Sequence, residues 1–146
     1  MRYSLAIILL FALTSCGKKH DFDQVFAGNC WEYSKPIQFQ PMIQQANAKL
    51  QYELQFTDEY NFQNLNLKIH LKSPSGKIKD TLLIDTLMNG LGVWRGEYKS
   101  GKHHVPFKKV FTVPFAETGK YEIEIQHSMR KDTLCGISGL GVDLVK

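Results

Sequence analysis

Between Leu50 and Phe56 the chain alternates strictly: Leu50, Tyr52, Leu54 and Phe56 are apolar or aromatic, and Gln51, Glu53 and Gln55 between them are polar. A side-chain period of two sends the first set to one face of an extended strand and the second set to the other, a division that no helix reproduces. The rhythm returns in Leu65, Leu67, Ile69 and Leu71, and again in Tyr121, Ile123 and Ile125, continued by His127 and Met129. Leu140, Val142 and Leu144 give a last strand. Val105 to Phe115 gives another, read as an edge strand because Pro106 and Pro114 near its ends lack a ladder donor. The Ser73-Pro74-Ser75-Gly76 turn reverses the chain into Lys77 to Leu87, which predicts a hairpin. Met88 to Gly96 holds three glycines and reads as a tight connection or bulged strand, Tyr98 to His104 as a polar loop, and Pro41 to Asn47 as a brief helical turn or a loop. About seven or eight short strands separated by turn signals predict an all-β fold, an antiparallel, immunoglobulin-like β-sandwich. Glu117-Thr118-Gly119-Lys120-Tyr121 resembles the tyrosine corner of such sandwiches, and a small closed barrel is the alternative.

The N-terminus follows different rules. Arg2 precedes the nearly unbroken apolar run Leu5 to Leu13, and Leu13-Thr14-Ser15-Cys16 resembles the cleavage box of bacterial lipoproteins. Nine or so apolar residues are too few to span ~30 Å of hydrocarbon, so the run is read as a signal peptide, residues 1–15, with Cys16 as the lipidated first residue of the mature chain. Residues 16–24 are read as a polar tether and 25–146 as a single β-domain. Removing the first 15 of 146 residues leaves 131, a length that suits one core. Gly17 after the cysteine, where an Asp would favour inner-membrane retention, points to the outer membrane, and the lack of an acidic cluster there points to its periplasmic face.

Composition narrows the chemistry further. The formal charge of +4 falls to +3 without Arg2, and the lysines are scattered rather than grouped with aromatics, which argues against nucleic-acid binding. No nucleophile elbow, zinc-binding helix or phosphate-cradling loop is present. Asp80 with Asp85, or Glu122 with Glu124, offers a carboxylate pair for glycoside hydrolysis, but alternate exposed acids are ordinary strand decoration. His103 and His104, as neighbours on opposite faces, make a poor chelate and are read as a solvated loop. The sequence therefore predicts no enzyme, no metal, no cofactor and no small-molecule ligand. Cys30 and Cys135 either form a disulfide in an oxidising compartment or remain two buried thiols, and both readings stay open. Trp31 is read as core, whereas Trp94 in its glycine-rich setting is left undecided between core and loop. Tyr60, Trp94, Arg95 and Arg130 are the candidate surface for a partner protein or a glycan, because flat aromatics and arginine anchor interfaces. Arg130 fits a structural ion pair equally well.

Taken in order, Trp31, the run Tyr60-Asn61-Phe62-Gln63-Asn64-Leu65, the Asp-Thr steps at Asp80 and Asp85, and Gly92-Val93-Trp94-Arg95-Gly96 form a recognisable set. The closing block is more specific: Gly119-Lys120-Tyr121, Gln126, Met129-Arg130, Leu134-Cys135-Gly136-Ile137 and Gly139-Leu140-Gly141. Together they resemble the gliding-motility lipoproteins of the GldH type from Bacteroidetes, over nearly all of the mature chain. The resemblance departs at Gln55-Phe56-Thr57 and Glu97-Tyr98-Lys99. It implies a non-enzymatic envelope protein, lipid-anchored, needed for gliding and linked to type IX secretion, with other gliding-motility lipoproteins or secretion-machine proteins as partners.

Overall fold

The alternation at residues 50–56 is realised as β5 (Lys49–Phe56), with Leu50, Tyr52, Leu54 and Phe56 buried and the residues between them half-exposed. In the computed structural model, which describes residues 20–109 and 115–145, β5 is the centre of a five-stranded antiparallel sheet. Its order is β1 (Phe22–Val25), β13 (Ile137–Val145), β5, β9 (Lys102–Lys109) and β8 (Glu97–Lys99). A second antiparallel sheet runs β3 (Ile37–Phe39), β11 (Glu122–His127), β6 (Asn64–Lys72) and β7 (Ile78–Thr86). Two short ladders complete it, β2 (Cys30–Glu32) with β12 (Thr133–Cys135) and β4 (Met42–Ile43) with β10 (Gly119–Lys120). Seven of these strands are four residues or longer, and the shorter pieces trim the corners, so the expected all-β sandwich stands.

The inward rows of both sheets share one core, in which Leu54 and Phe56 of the first sheet join Leu65, Leu67, Ile69, Ile123 and Ile125 of the second. The sheets also meet along one side, where the Phe22 and Phe39 rings lie 4.6 Å apart. β13 is buried on both faces from Ile137 to Val142, unlike its neighbours. Leu140 and Val142 fill the core, while the outward positions Gly139 and Gly141 are roofed over. A Cβ on Gly139 would lie 3.0 Å from the Gln24 carbonyl oxygen, and one on Gly141 would overlap the His20 ring. His20 Nδ1 is 3.1 Å from Asp143 Oδ2, Asp21 N–H donates to Asp143 Oδ1 at 2.8 Å, and Leu144 N–H donates to Asp21 Oδ2 at 2.9 Å. The chain is therefore clasped to the sheet from its first described residue.

Two expectations are corrected. The tether was expected to run to residue 24, but Phe22–Val25 pairs with Val142–Gly139. An edge strand held by backbone bonds needs only one inward apolar residue, Phe22, and so shows no alternation. Tyr98 to His104 is a hairpin of β8 and β9 rather than a loop, with His103 and His104 on a strand. Pro41 to Asn47, read as a helical turn or a loop, takes the loop form over 44–47, and the unexpected feature is the two-residue β4 at its start. In the strand expected over Val105 to Phe115, β9 has β5 as its ladder partner at Val105, Lys108 and Lys109, and residues 110–114 lie outside the described chain. The tyrosine corner forms: Tyr121 Oη donates to the Glu117 carbonyl at 3.2 Å, and burial raises the phenol above its ordinary range.

Connections give the sandwich two ends. β5 leaves toward Thr57, β6 begins nearby, and β9 and β13 start beside Phe56, making a far pole. The chain enters beside Val142 and Asp143, in the half of β13 that leads to the opposite end, where β6 ends and β7 begins.

Candidate functional site

At the far pole β7 runs into a tight hairpin closed by a bridge between Met88 and Trp94. Leu87 N–H donates to the Gln63 carbonyl at 2.7 Å, and Arg95 N–H donates to the Leu87 carbonyl at 2.7 Å, fixing the base to the fold. Asn89 organises the tip. Its N–H donates to the Val93 carbonyl at 2.8 Å, and its side-chain oxygen accepts from Leu91 N–H at 2.9 Å and Val93 N–H at 3.0 Å. Such an Asx arrangement satisfies donors that would otherwise need water. The result is a hydrogen-bonded tip that leaves Leu91 89% exposed and Val93 58% exposed.

Below the tip lies a layer of rings. Trp94 is half-buried, edge-on to Phe56 at 5.0 Å and 5.8 Å from His103, and Tyr98 packs on the other side of His103 at 4.9 Å while staying 60% exposed. His103 Nε2 meets Asp58 Oδ1 at 2.6 Å. Gly96, at φ +93°, permits this closeness, since a Cβ there would overlap the His104 carbonyl. Glu97, fully exposed, is held below its ordinary carboxylate range by its hydrogen bond and ion pair with Lys99.

Of the four expected surface residues, Trp94 and Arg95 sit together at this hairpin, Arg95 exposed. Arg130 is exposed on a separate turn between β11 and β12, and among the described residues it makes no hydrogen bond or ion pair. Tyr60 is corrected from surface to core. It is 2% exposed, its hydroxyl donates to the Asn64 carbonyl at 2.9 Å, and burial pushes its phenol far above the ordinary range. Cys16 lies outside the described residues.

Tyr60 belongs instead to a structural joint. Gly136, at φ +86°, presses on the Tyr60 backbone so closely that a Cβ would overlap it, and its carbonyl accepts from Thr57 N–H at 2.7 Å. Next to it Cys135 pairs in register with Cys30, and the two are disulfide-bonded with Cα atoms 4.0 Å apart. Leu134 pairs with Trp31, which is fully buried, stacks on Phe26 at 4.9 Å and donates from Nε1 to the Lys35 carbonyl at 3.1 Å. The Leu134-Cys135-Gly136-Ile137 block thus serves the framework. His127 is buried against Trp31 and Tyr33 at ring distances of 5.3 and 5.6 Å, and that burial lowers its imidazole below the ordinary range.

The carboxylates weighed for hydrolysis are engaged across strands: Asp80 with His70 at 2.6 Å, Glu122 with Lys72 at 3.2 Å, and Glu124 with the Gln38 amide at 2.7 Å. Glu122 and Glu124, with His70, border a shallow groove of about 380 Å³ over Phe39 and Ile123. Asp85 faces inward and is buried. His104 turns to Glu53 at 3.1 Å, away from His103, and among the described residues no three ligating side chains converge on a metal position. Sequence reasoning missed the tip residues Leu91 and Val93 and the cap Asn89. The Asn89-Gly90-Leu91-Gly92 order, an Asx turn with apolar residues set between glycines, was the available signal.

Comparison with known proteins places these features in a family. The family described as GldH lipoprotein matches residues 20–144. A protein from Christiangramia forsetii, a "gliding motility lipoprotein GldH homolog", is 32% identical over 134 residues, spanning 86% of this chain and 79% of that relative. No solved structure matches the chain.

Proposed function

Because the chain belongs to the GldH lipoprotein family, we propose that it is an outer-membrane-anchored, non-enzymatic component of the gliding motility machinery that assists the assembly or stability of motility and type IX secretion partners. It is a membrane-anchored protein of the cell envelope, as the family is. The lipid on Cys16 and a periplasmic-facing position belong to the same reading. The observation that supports action by protein contact is the far-pole hairpin, where Asn89 spends its hydrogen bonds on displaying two apolar side chains rather than burying them. Preorganised apolar residues beside a half-buried tryptophan and an arginine have the composition of an interface centre.

The test is a deletion strain complemented with the wild-type gene, with Cys16→Ser, or with Leu91→Ser plus Val93→Ser, scored for colony spreading and for secreted proteins. Wild type restores both, and the two variants do not, although the tip variant accumulates to normal levels in the membrane fraction. Full spreading and secretion by the tip variant would remove the hairpin from the proposal. The glycan-binding reading loses Tyr60 to the core and retains Trp94 and the exposed Tyr98. A glycan array on which the wild-type protein shows no binding rejects it.

A further inference from the structure

The entry pole carries a second surface that differs in chemistry from the tip. The 73–76 turn and the corner before Tyr121 are tied into one rim: Ser75 Oγ donates to Glu117 Oε1 at 2.7 Å, and the Pro74 ring packs against Gly119, where a Cβ would stand only 2.8 Å from Pro74 Cγ. From this rim project Lys77 and Lys79, with Ile78 between them 62% exposed, and Lys120, whose register partner Met42 is 59% exposed. None of the three lysines has an acidic partner within ion-pair distance among the described residues. The acids nearby are taken, Glu122 by Lys72 and Glu117 by Ser73 and Ser75, whose hydrogen bonds, with a smaller contribution from the charge of Lys77, hold its carboxyl below the ordinary range. Exposed apolar side chains at the same end of the sheet as lysines that have no carboxylate within ion-pair distance are the mixture that settles at a headgroup layer, the apolar groups reaching the acyl boundary and the ammonium groups meeting phosphate.

The geometry points to a second membrane contact: the rim of Lys77, Ile78, Lys79, Lys120 and Met42 rests on an anionic phospholipid surface and holds the Leu91 hairpin away from it. Two observations favour a bilayer over a protein partner. The chain enters the fold in the same half of the molecule, with Phe22 against Phe39 and Phe39 in register with Ile123 at the β11 end of the rim. Only three residues separate Cys16 from His20, so a lipid on Cys16 would hold His20, in the entry half of the molecule, within about 14 Å of the membrane, at ~3.6 Å per residue. Once the rim lies within a Debye length of the surface, about 8–10 Å, each lysine contributes about 1 kcal/mol at anionic lipid.

This inference rests on the lipid anchorage proposed above, and the experiment separates the two. The full lipidated protein is placed in nanodiscs of neutral phosphatidylcholine, or of the same lipid with about 30% phosphatidylglycerol, and the acetylation rate of each lysine is followed by mass spectrometry. Lys77, Lys79 and Lys120 are expected to react about threefold or more slowly in the anionic discs and to recover at about 0.5 M salt, where screening is nearly complete. The far-pole lysines Lys35, Lys99 and Lys102 should react alike in both. Equal rates at the rim in the two discs, or protection of Lys99 and Lys102 instead, would overturn the proposal. An unmodified Cys16 and a chain not retained on either disc would overturn the anchorage itself.

Discussion

At the far pole the loops are locked by covalent and backbone contacts, the Cys30–Cys135 bond and Gly136 pressed on the Tyr60 backbone. At the entry pole the two-residue β4–β10 ladder and the Tyr121 corner are the ties to backbone, and exposed side chains add Ser75 to Glu117 between loops and Lys72 to Glu122 between strand ends. The apolar residues differ in the same way: Leu91 and Val93 stand on a hydrogen-bonded tip, whereas Met42 lies on the two-residue β4 opposite Lys120 and Ile78 at the first position of the edge strand β7, next to Lys77 and Lys79. A protein partner recognises a fixed shape, and ordering it in advance saves the entropy of arranging it on contact. A bilayer has no fixed shape to match, so charge and loosely held apolar groups suffice there.

The sharpest way to break this contrast is to remove the lock. Replacing Cys30 and Cys135 together by alanine frees a cross-link between residues 105 apart, for which loop entropy predicts about 4.7 kcal/mol and small secreted domains lose about 2–5 kcal/mol. Denaturant unfolding measures it, and a loss below about 1 kcal/mol would show that the far pole is held by something else. Gly136→Ala comes next at about 2–4 kcal/mol, since it combines a left-handed backbone with collision against Tyr60. Gly92→Ala, at φ +77° in open space, should cost only about 1 kcal/mol in the same experiment.

His127 gives the far pole a pH dependence. Its native imidazole titrates below the ordinary value, so below about pH 6.5 the unfolded chain takes up the proton first and stability falls with pH until the native ring protonates too. His127→Leu should flatten the thermal-midpoint profile between about pH 7 and 5, and an unchanged acid slope would exclude the ring as its source. The smallest effect lies at the entry pole. Ser75→Ala should move the Glu117 carboxyl titration upward in an NMR experiment with no change in thermal midpoint, because the group is fully exposed.

What could be read in advance depended on burial on one face. β5, β6 and β11 are half-buried, so their sequences carry the alternation openly, and the Gly119–Tyr121 step announced its corner. β1 and β8 sit at sheet edges, where backbone bonds do most of the holding, and their polar sequences passed for tether and loop. Tyr60 was assigned to the surface because nothing local revealed that Gly136, 76 residues later, would receive its backbone. Trp94 and Arg95 were found because glycines mark a protruding turn, and Leu91 and Val93 were overlooked because exposed apolar residues resemble core residues in a sequence.

The imidazole of His20, seated where Gly141 leaves room and flanked by Asp143, has a consequence for how the molecule explores its surroundings. With the chain clasped at that point, the lipid becomes a pivot rather than a rope, and the domain searches a thin layer in two dimensions instead of a volume. Its encounters then depend on lateral diffusion and on the height at which a partner offers its surface. A Gly141→Ala change would evict the ring, undo the clasp and thicken that layer, altering whom the protein meets without touching any residue that makes the meeting specific.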